Sequence, residues 1–228
     1  MFRLSLLLRR ALAVLVNEPA TLEDVRRIAK RDAVLIPYVV DTSFFFVDAD
    51  KLRNDFVLVP GNNGRDEELV CALAATGVRI IRVTFDPAVR EYYTSTGPNR
   101  ELVGVHFAVS YSDLRDLYQR AAIVWLPLKL RNHPAGQTAV LEALACGTPV
   151  LMSRGRIAEL FSTYPGVHLC DTDSVQAIRE QIIRFTNICS NDRSTMYKIH
   201  QYVKARHSPE LVTAHVRTLL HEVVNDLR

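Results

Sequence analysis

From residue 55 onward, about six short apolar runs alternate with stretches of helical spacing, which constrains the fold more than any other feature of the sequence. Strand-length runs joined by helices argue for parallel strands, so the expected class is α/β: a doubly wound, Rossmann-like parallel sheet. Strands are predicted over 55–60, 78–83 and 103–108, in AIVWLPL up to Pro127, and in GTPVLMS and GVHLC. Helices are predicted from Arg65 to Ala75, over SDLRDLYQRA with Ser112 as cap, through GQTAVLEALA, and near 155–162. DPAVREYYTSTGPNRE reads as a polar loop, because it holds turn formers and no sustained period.

Three helical segments finish the chain. In the last, Leu211, Val212, Val216, Leu219, Leu220, Val223 and Leu227 make one apolar face that must pack on something. At the other end, ALAVLV reads as a strand and TLEDVRRIAKR as a helix capped by Thr21 with Asp24. AVLIPYVVDTSFF then gives a strand, a proline break and an extended segment. Residues 1–45 do not make a second domain of their own. They are expected to be the remnant of a preceding domain and its linker, with residues 46–228 as the main domain and its C-terminal helices.

A 228-residue chain with 48% hydrophobic and 23% charged residues can bury a full core. A balance of 28 basic against 25 acidic side chains is too mild for a nucleic-acid track, so no nucleic-acid partner is expected. Cys71, Cys146, Cys170 and Cys189 lie far apart without metal-ligand spacing, which argues against a zinc site or disulfide framework and for a reducing, cytoplasmic setting. MFRLSLLLRRALAVLV carries three arginines and no acid, yet it is too short to span a bilayer. A helix leading into a buried strand is the favoured reading, with peripheral contact at a membrane surface as the alternative.

In an open parallel sheet, ligands sit beyond the carboxyl ends of the strands. PGNNGRDEE lets the backbone turn tightly at Gly61 and Asn62, and Arg65 offers several donors; an ordinary surface turn is the other reading. LKLRNHPAGQT leads into the next helix, where Gly136, Gln137 and Thr138 present free N–H groups at the positive end of its dipole. Lys129, Arg131 and His133 stand beside it. Glu142 is the lone charge of that helix, one turn beyond Thr138, with a rise of about 6 Å between them. It suits a ribose diol, because a carboxylate accepts hydrogen bonds from adjacent hydroxyls. The alternative is a structural ion pair with Arg65 or Arg154.

PAGQTAVLEALACGTPVL, with DLRDLYQRAAIVWLPL and FVLVPGNNGRD before it, resembles the donor-binding half of family 4 glycosyltransferases of the GT-B fold. VLIPYVVDTSFF resembles the same family's linker, and the likeness runs in consistent order over about residues 10 to 190. It implies retaining, metal-independent transfer from a nucleotide-sugar, with the donor as substrate and no cofactor. By the same resemblance, Glu142 holds the ribose hydroxyls, Gly136 to Thr138 receive the diphosphate, and Gly61 with the residues after it closes over the sugar. Val109, Ser110 and Tyr111 would lie by the base, and Arg65 would be the phosphate cation. Three departures stand out. Pro134 replaces the first of the family's two glutamates, Asn62 and Glu67 replace its arginine and lysine, and most of the acceptor domain has no counterpart. A separate acceptor-domain protein is therefore an expected partner, and a noncatalytic nucleotide-sugar binding module is the competing reading.

Overall fold

The computed structural model describes residues 7–51, 53, 55–129, 135–171, 174–189 and 192–225. By packing it divides into two units, Met1–Val40 with Ala205–Arg228, and Asp41–Lys204.

The larger unit is built on six parallel strands: β3 (Val57–Pro60), β4 (Ile80–Thr84), β5 (Val103–Phe107), β6 (Ile123–Leu126), β7 (Val150–Ser153) and β8 (Val167–Cys170). Their order across the sheet is β5-β4-β3-β6-β7-β8. Val57 and Leu58 of β3 lie opposite Ile123 and Val124 of β6 at the centre. Every residue of β3, β4, β6 and β7 is buried, whereas β5 and β8 at the edges are partly open. This is why the central strands read as unbroken apolar runs.

Around the sheet lie α2 (Glu67–Ala74), α3 (Pro87–Thr94), α4 (Tyr111–Arg120), α5 (Gln137–Ala145), α6 (Arg156–Phe161) and α7 (Val175–Cys189), followed by α8 (Arg193–His207). Val70 and Leu73 of α2, with Ile178 and Ile182 of α7, bury the same face of β3 and β6 against Val57, Ile123 and Trp125. Burial of such aliphatic side chains stabilises the layer by roughly 1.5–3 kcal/mol each.

Helix α3 occupies the stretch expected to be a loop. Only its Tyr93 is buried, so no apolar period marks it. Its start is set instead by Asp86, which accepts from the Ala88 N–H at 2.9 Å, and by Pro87 in the first turn. The cap of α4 is Ser110, not Ser112, and its hydroxyl accepts from the Asp113 N–H at 3.1 Å.

In the smaller unit β1 (Leu15–Val16) pairs in parallel with β2 (Val34–Leu35) across α1 (Pro19–Ala29). Helix α1 begins earlier than the Thr21 cap predicted; Pro19 opens it, and the Thr21 hydroxyl bonds the Glu18 carboxylate at 3.2 Å. Val25 and Ala29 pack on Val16. In α9 (Pro209–Asn225) Val212 is buried, and Val216, Leu219 and Leu220 line a cavity of about 140 Å³ with Leu15 and Val34. The side chains of Val223 and Leu227, assigned to the same apolar face, lie outside the described residues. Among the described residues no helix is long and apolar enough to cross a membrane.

Candidate functional site

The strand order reverses between β3 and β6, so the chains leaving these two strands part and open a crevice at their carboxyl ends. The loop after β3 and the loop after β6 are joined across it. The Asp66 N–H donates to the Pro127 carbonyl and the Lys129 N–H to the Gly64 carbonyl, both at 2.8 Å, and Arg65 bridges Leu128. The main chain therefore fixes the separation of the two loops.

Gly61 leaves β3 with φ +96°, a region side chains disfavour, and a Cβ there would lie 2.7 Å from an Arg65 guanidinium nitrogen. The backbone conformation favours glycine, and a side chain there would displace the guanidinium. Asn62 is anchored from its side chain, whose carbonyl accepts from the Phe85 N–H at 2.7 Å and from the Thr84 hydroxyl at 3.2 Å. Arg65 is 7% exposed. Its Nε and Nη2 donate to the Pro60 carbonyl at 2.9 and 2.7 Å, and its Nη1 donates to that of Asn63 at 2.8 Å. Among the described residues no carboxylate lies within ion-pair distance of it. Burial, with repulsion from Arg82, pulls its pKa down to about 10. A buried cation with only carbonyl partners has room for an anion.

Beneath this loop lies a network that sequence reasoning missed. Arg82, in the middle of β4, is fully buried and clasps Glu67 through Nη2 at 2.8 Å and Nε at 3.1 Å. Its Nη1 donates to the carbonyls of Gly61 and Val83 at 2.6 Å, and the Tyr93 hydroxyl donates to Glu67 at 2.6 Å. Glu67, noted only as a departure from the resembled pattern, is thus the counter-ion of an arginine inside the sheet. The one signal in the sequence is an arginine within the apolar run IIRVT.

On the facing side, Gly136 caps α5 with φ +96° and contributes no side-chain bond to the helix start. The first intrahelical acceptor is the Gly136 carbonyl, which the Val140 N–H reaches at 2.9 Å; the amides of Gln137, Thr138 and Ala139 precede it. Gly61, Asn62, Asn63 and Arg65 from one loop, with Gly136, Gln137 and Thr138 from the other, line a cavity of about 210 Å³. Positive potential comes from both walls, the guanidinium on one side and the helix dipole on the other.

Glu142 is not a wall of this cavity; it sits one turn further along α5, 8% exposed. The Tyr118 hydroxyl of α4 donates to it at 2.9 Å. Neither Arg65 nor Arg154 pairs with it: Arg154 binds Glu159 at 2.7 Å and also Asp171. Burial pushes the Glu142 carboxyl up to about 7, against the opposing effect of the Tyr118 hydrogen bond. The acid is therefore half-ionised near neutrality with one phenol as partner. Tyr118, fully buried, is a partner of Glu142 that the sequence did not disclose, because on α4 it reads as one more core residue.

The remaining sequence-derived positions are dispersed. Val109 and Ser110 lie between β5 and α4, Tyr111 opens α4 and is 66% exposed, and Lys129 is exposed; none of them lines the cavity. Arg131, His133 and Pro134 lie outside the described residues. Among the described residues no group of three or more His, Cys, Asp or Glu forms a metal-holding cluster.

This arrangement, a doubly wound sheet with glycine-opened loops at its switch point, is the Rossmann-like C-terminal half of a GT-B glycosyltransferase fold. Residues 86–187 match the family described as glycosyl transferases group 1. Sucrose-phosphate synthase from Thermosynechococcus elongatus superposes with a TM-score of 0.75 at 20% identity, over 99% of this chain and 61% of that one. HepE from Anabaena, solved in complex with UDP-glucose, gives 0.73 at 17% identity, over 95% and 65%. AviGT4, a glycosyltransferase involved in avilamycin A biosynthesis, gives 0.66 at 20% identity, over 92% and 64%. The chain thus spans less than two thirds of these proteins. No curated protein sequence gives a significant match.

Proposed function

We propose that the chain is the donor-binding half of a glycosyltransferase that moves a sugar from a nucleotide-sugar to an acceptor with retention of configuration. The observation carrying this reading is the cavity at the switch point, where Arg65, buried without a carboxylate, faces the uncapped start of α5. A diphosphate supplies the charge that both walls lack.

In this reading the amides of Gly136 to Thr138 and the Arg65 guanidinium hold the diphosphate, with Lys129 as a second cation. Gly61 and Asn62 close over the sugar. Glu142 accepts the ribose hydroxyls, and Val109, Ser110 and Tyr111 border the base. Fixed donors aimed at the departing diphosphate lower the barrier by stabilising the charge that develops there. Neither a cofactor nor a metal takes part. Residues 46–228 are the donor domain, residues 1–45 close an acceptor domain, and an acceptor-binding domain completes the cleft. The setting is cytoplasmic, with peripheral contact at a membrane surface as the alternative. The HepE complexes with UDP and UDP-glucose make uridine nucleotides the first to try.

A noncatalytic nucleotide-sugar binding module is the second reading. It is favoured by Glu67, whose carboxylate is occupied by Arg82 at the position where the resembled family carries a lysine. Calorimetric titration with UDP, ADP and GDP tests both. We expect binding of at least one, weakened about tenfold in Glu142→Ala by loss of a charge-assisted hydrogen bond. Absence of binding to all three would remove both readings, and sugar transfer on adding an acceptor-domain protein separates them.

A further inference from the structure

The opposite end of the sheet holds a larger cavity, about 440 Å³, between the amino ends of β3, β4 and β6 and helix α7. Arg53, Arg79 and Arg179 line it against a single carboxylate, Asp55, so its lining carries two net positive charges. We infer that this cavity is a second binding site, separate from the nucleotide cleft, for a small molecule that carries an oxyanion on an apolar body.

The three arginines are prepared differently. Arg53, 9% exposed, is held rigidly by the carbonyls of Ala121 at 2.8 Å and Gly147 at 2.7 Å and by the Thr148 hydroxyl at 2.8 Å, and it fixes positive charge in the wall. Arg79 meets Asp55 at 3.3 Å and lies over the Phe56 ring at 5.9 Å, but the side chains of the ion pair are 64% and 85% exposed, so water screens it and the pair is weak. Arg179 on α7 has a buried Nε without a hydrogen-bond partner, and among the described residues it makes no ion pair. A buried guanidinium N–H left unmade is costly, and an oxyanion reaching it recovers that cost with a charge-assisted bond.

The rest of the lining selects against a bare ion. Val57, Val78, Ala122 and Ile182 form apolar walls, and Ile183, 40% exposed, extends the apolar lining to solvent. Gly77 also lines the cavity, but its N–H donates to the Ala74 carbonyl at 3.0 Å, and Arg179 lies in the second turn of α7, beyond the helix start. The volume falls in the range of small-molecule sites, about 300–1,000 Å³. Strand β3 separates the two sites, with about 13 Å between Val57 at one end and Gly61 at the other.

Phenyl phosphate is a suitable probe, titrated into the full chain by calorimetry with inorganic phosphate and phenol as controls. Phenyl phosphate is expected to bind with unchanged affinity in saturating UDP. Phosphate and phenol should each be at least about tenfold weaker, and Arg179→Gln and Arg79→Gln should each weaken phenyl phosphate by about tenfold. Absence of phenyl phosphate binding, equal binding by both variants, or binding as tight for phosphate alone would overturn the proposal. Displacement by UDP would also overturn it, placing the anion beside Arg65 instead. If Arg179→Gln melts early, Arg79→Gln, at an exposed side chain, decides the matter alone.

Discussion

Glu67 opens α2 and Glu142 lies within α5, and each accepts a hydrogen bond from a tyrosine hydroxyl, Tyr93 at 2.6 Å and Tyr118 at 2.9 Å. There the likeness ends. Glu67 also takes both arms of a fully buried arginine, whereas Glu142 meets no cation among the described residues and its carboxyl is pushed up to about 7. A paired carboxylate behind the glycine loop is part of the fold. The carboxylate within α5, among the described residues, bonds through one oxygen only.

Removing the cation should produce the largest effect. In Arg82→Met, Glu67 stays half-buried with only Tyr93, the Gly61 carbonyl loses its donor, that of Val83 keeps only the Gly61 N–H, and stability should fall by about 3–5 kcal/mol in urea denaturation. The double variant Arg82→Met with Glu67→Gln should recover part of that loss, since the residual charge is gone. Additive effects of the two changes would show that the pair is not coupled, and would dissolve the contrast with Glu142.

A pH titration tests the other acid. Because the folded carboxyl holds its proton up to about 7, against an ordinary value of 4.5, the folded state binds more protons between these limits. The wild type should therefore lose stability as pH rises from 4.5 to 7, by on the order of 2–3 kcal/mol, and Glu142→Gln should lack that component. Denaturation of both proteins at pH 5 and pH 8 measures the difference. Nucleotide affinity should move the opposite way in the wild type, falling below pH 7 as the acceptor is protonated. Parallel curves for the two proteins would mean that Glu142 ionises without penalty.

Gly61 is where the two arrangements touch, since its carbonyl binds Arg82 and the space beside its Cα is filled by Arg65. Gly61→Ala should cost about 1–2 kcal/mol from the positive φ alone and displace the Arg65 guanidinium. UDP affinity should fall with it, while the Glu142 pH component stays in place. Loss of that component as well would show that the two carboxylates share one network.

The parallel sheet was legible because buried parallel strands leave continuous apolar runs, and the two loops beyond their carboxyl ends were legible because their turns place glycine at Gly61 and Gly136. Six residues of the cavity lining, Gly61, Asn62, Arg65, Gly136, Gln137 and Thr138, were legible for the same local reason. Arg82 was not, because a charge within a buried strand contradicts the pattern and is resolved only by Glu67 from another element. Tyr118 was hidden by its apolar ring, which places it in the core whatever its hydroxyl does. Helix α3 was hidden by its single buried residue, although Asp86 and Pro87 carried a start signal that the loop reading passed over.

The smallest expected effect compares the two tyrosines directly. Tyr93→Phe leaves Glu67 with Arg82, so only a net hydrogen bond is lost and stability should fall by about 1 kcal/mol at any pH between 5 and 8. Tyr118→Phe removes the one donor to Glu142, but that acid can meet the loss by keeping its proton. Its cost should therefore be near that of Tyr93→Phe at pH 8, where the anion must form, and smaller at pH 5, where the carboxyl is neutral in both proteins. The tyrosine bond lowers the Glu142 pKa, so its removal should also carry the midpoint of the nucleotide-affinity profile above 7. A Tyr118→Phe profile that keeps the wild-type midpoint would show that the phenol packs against Glu142 without setting its charge.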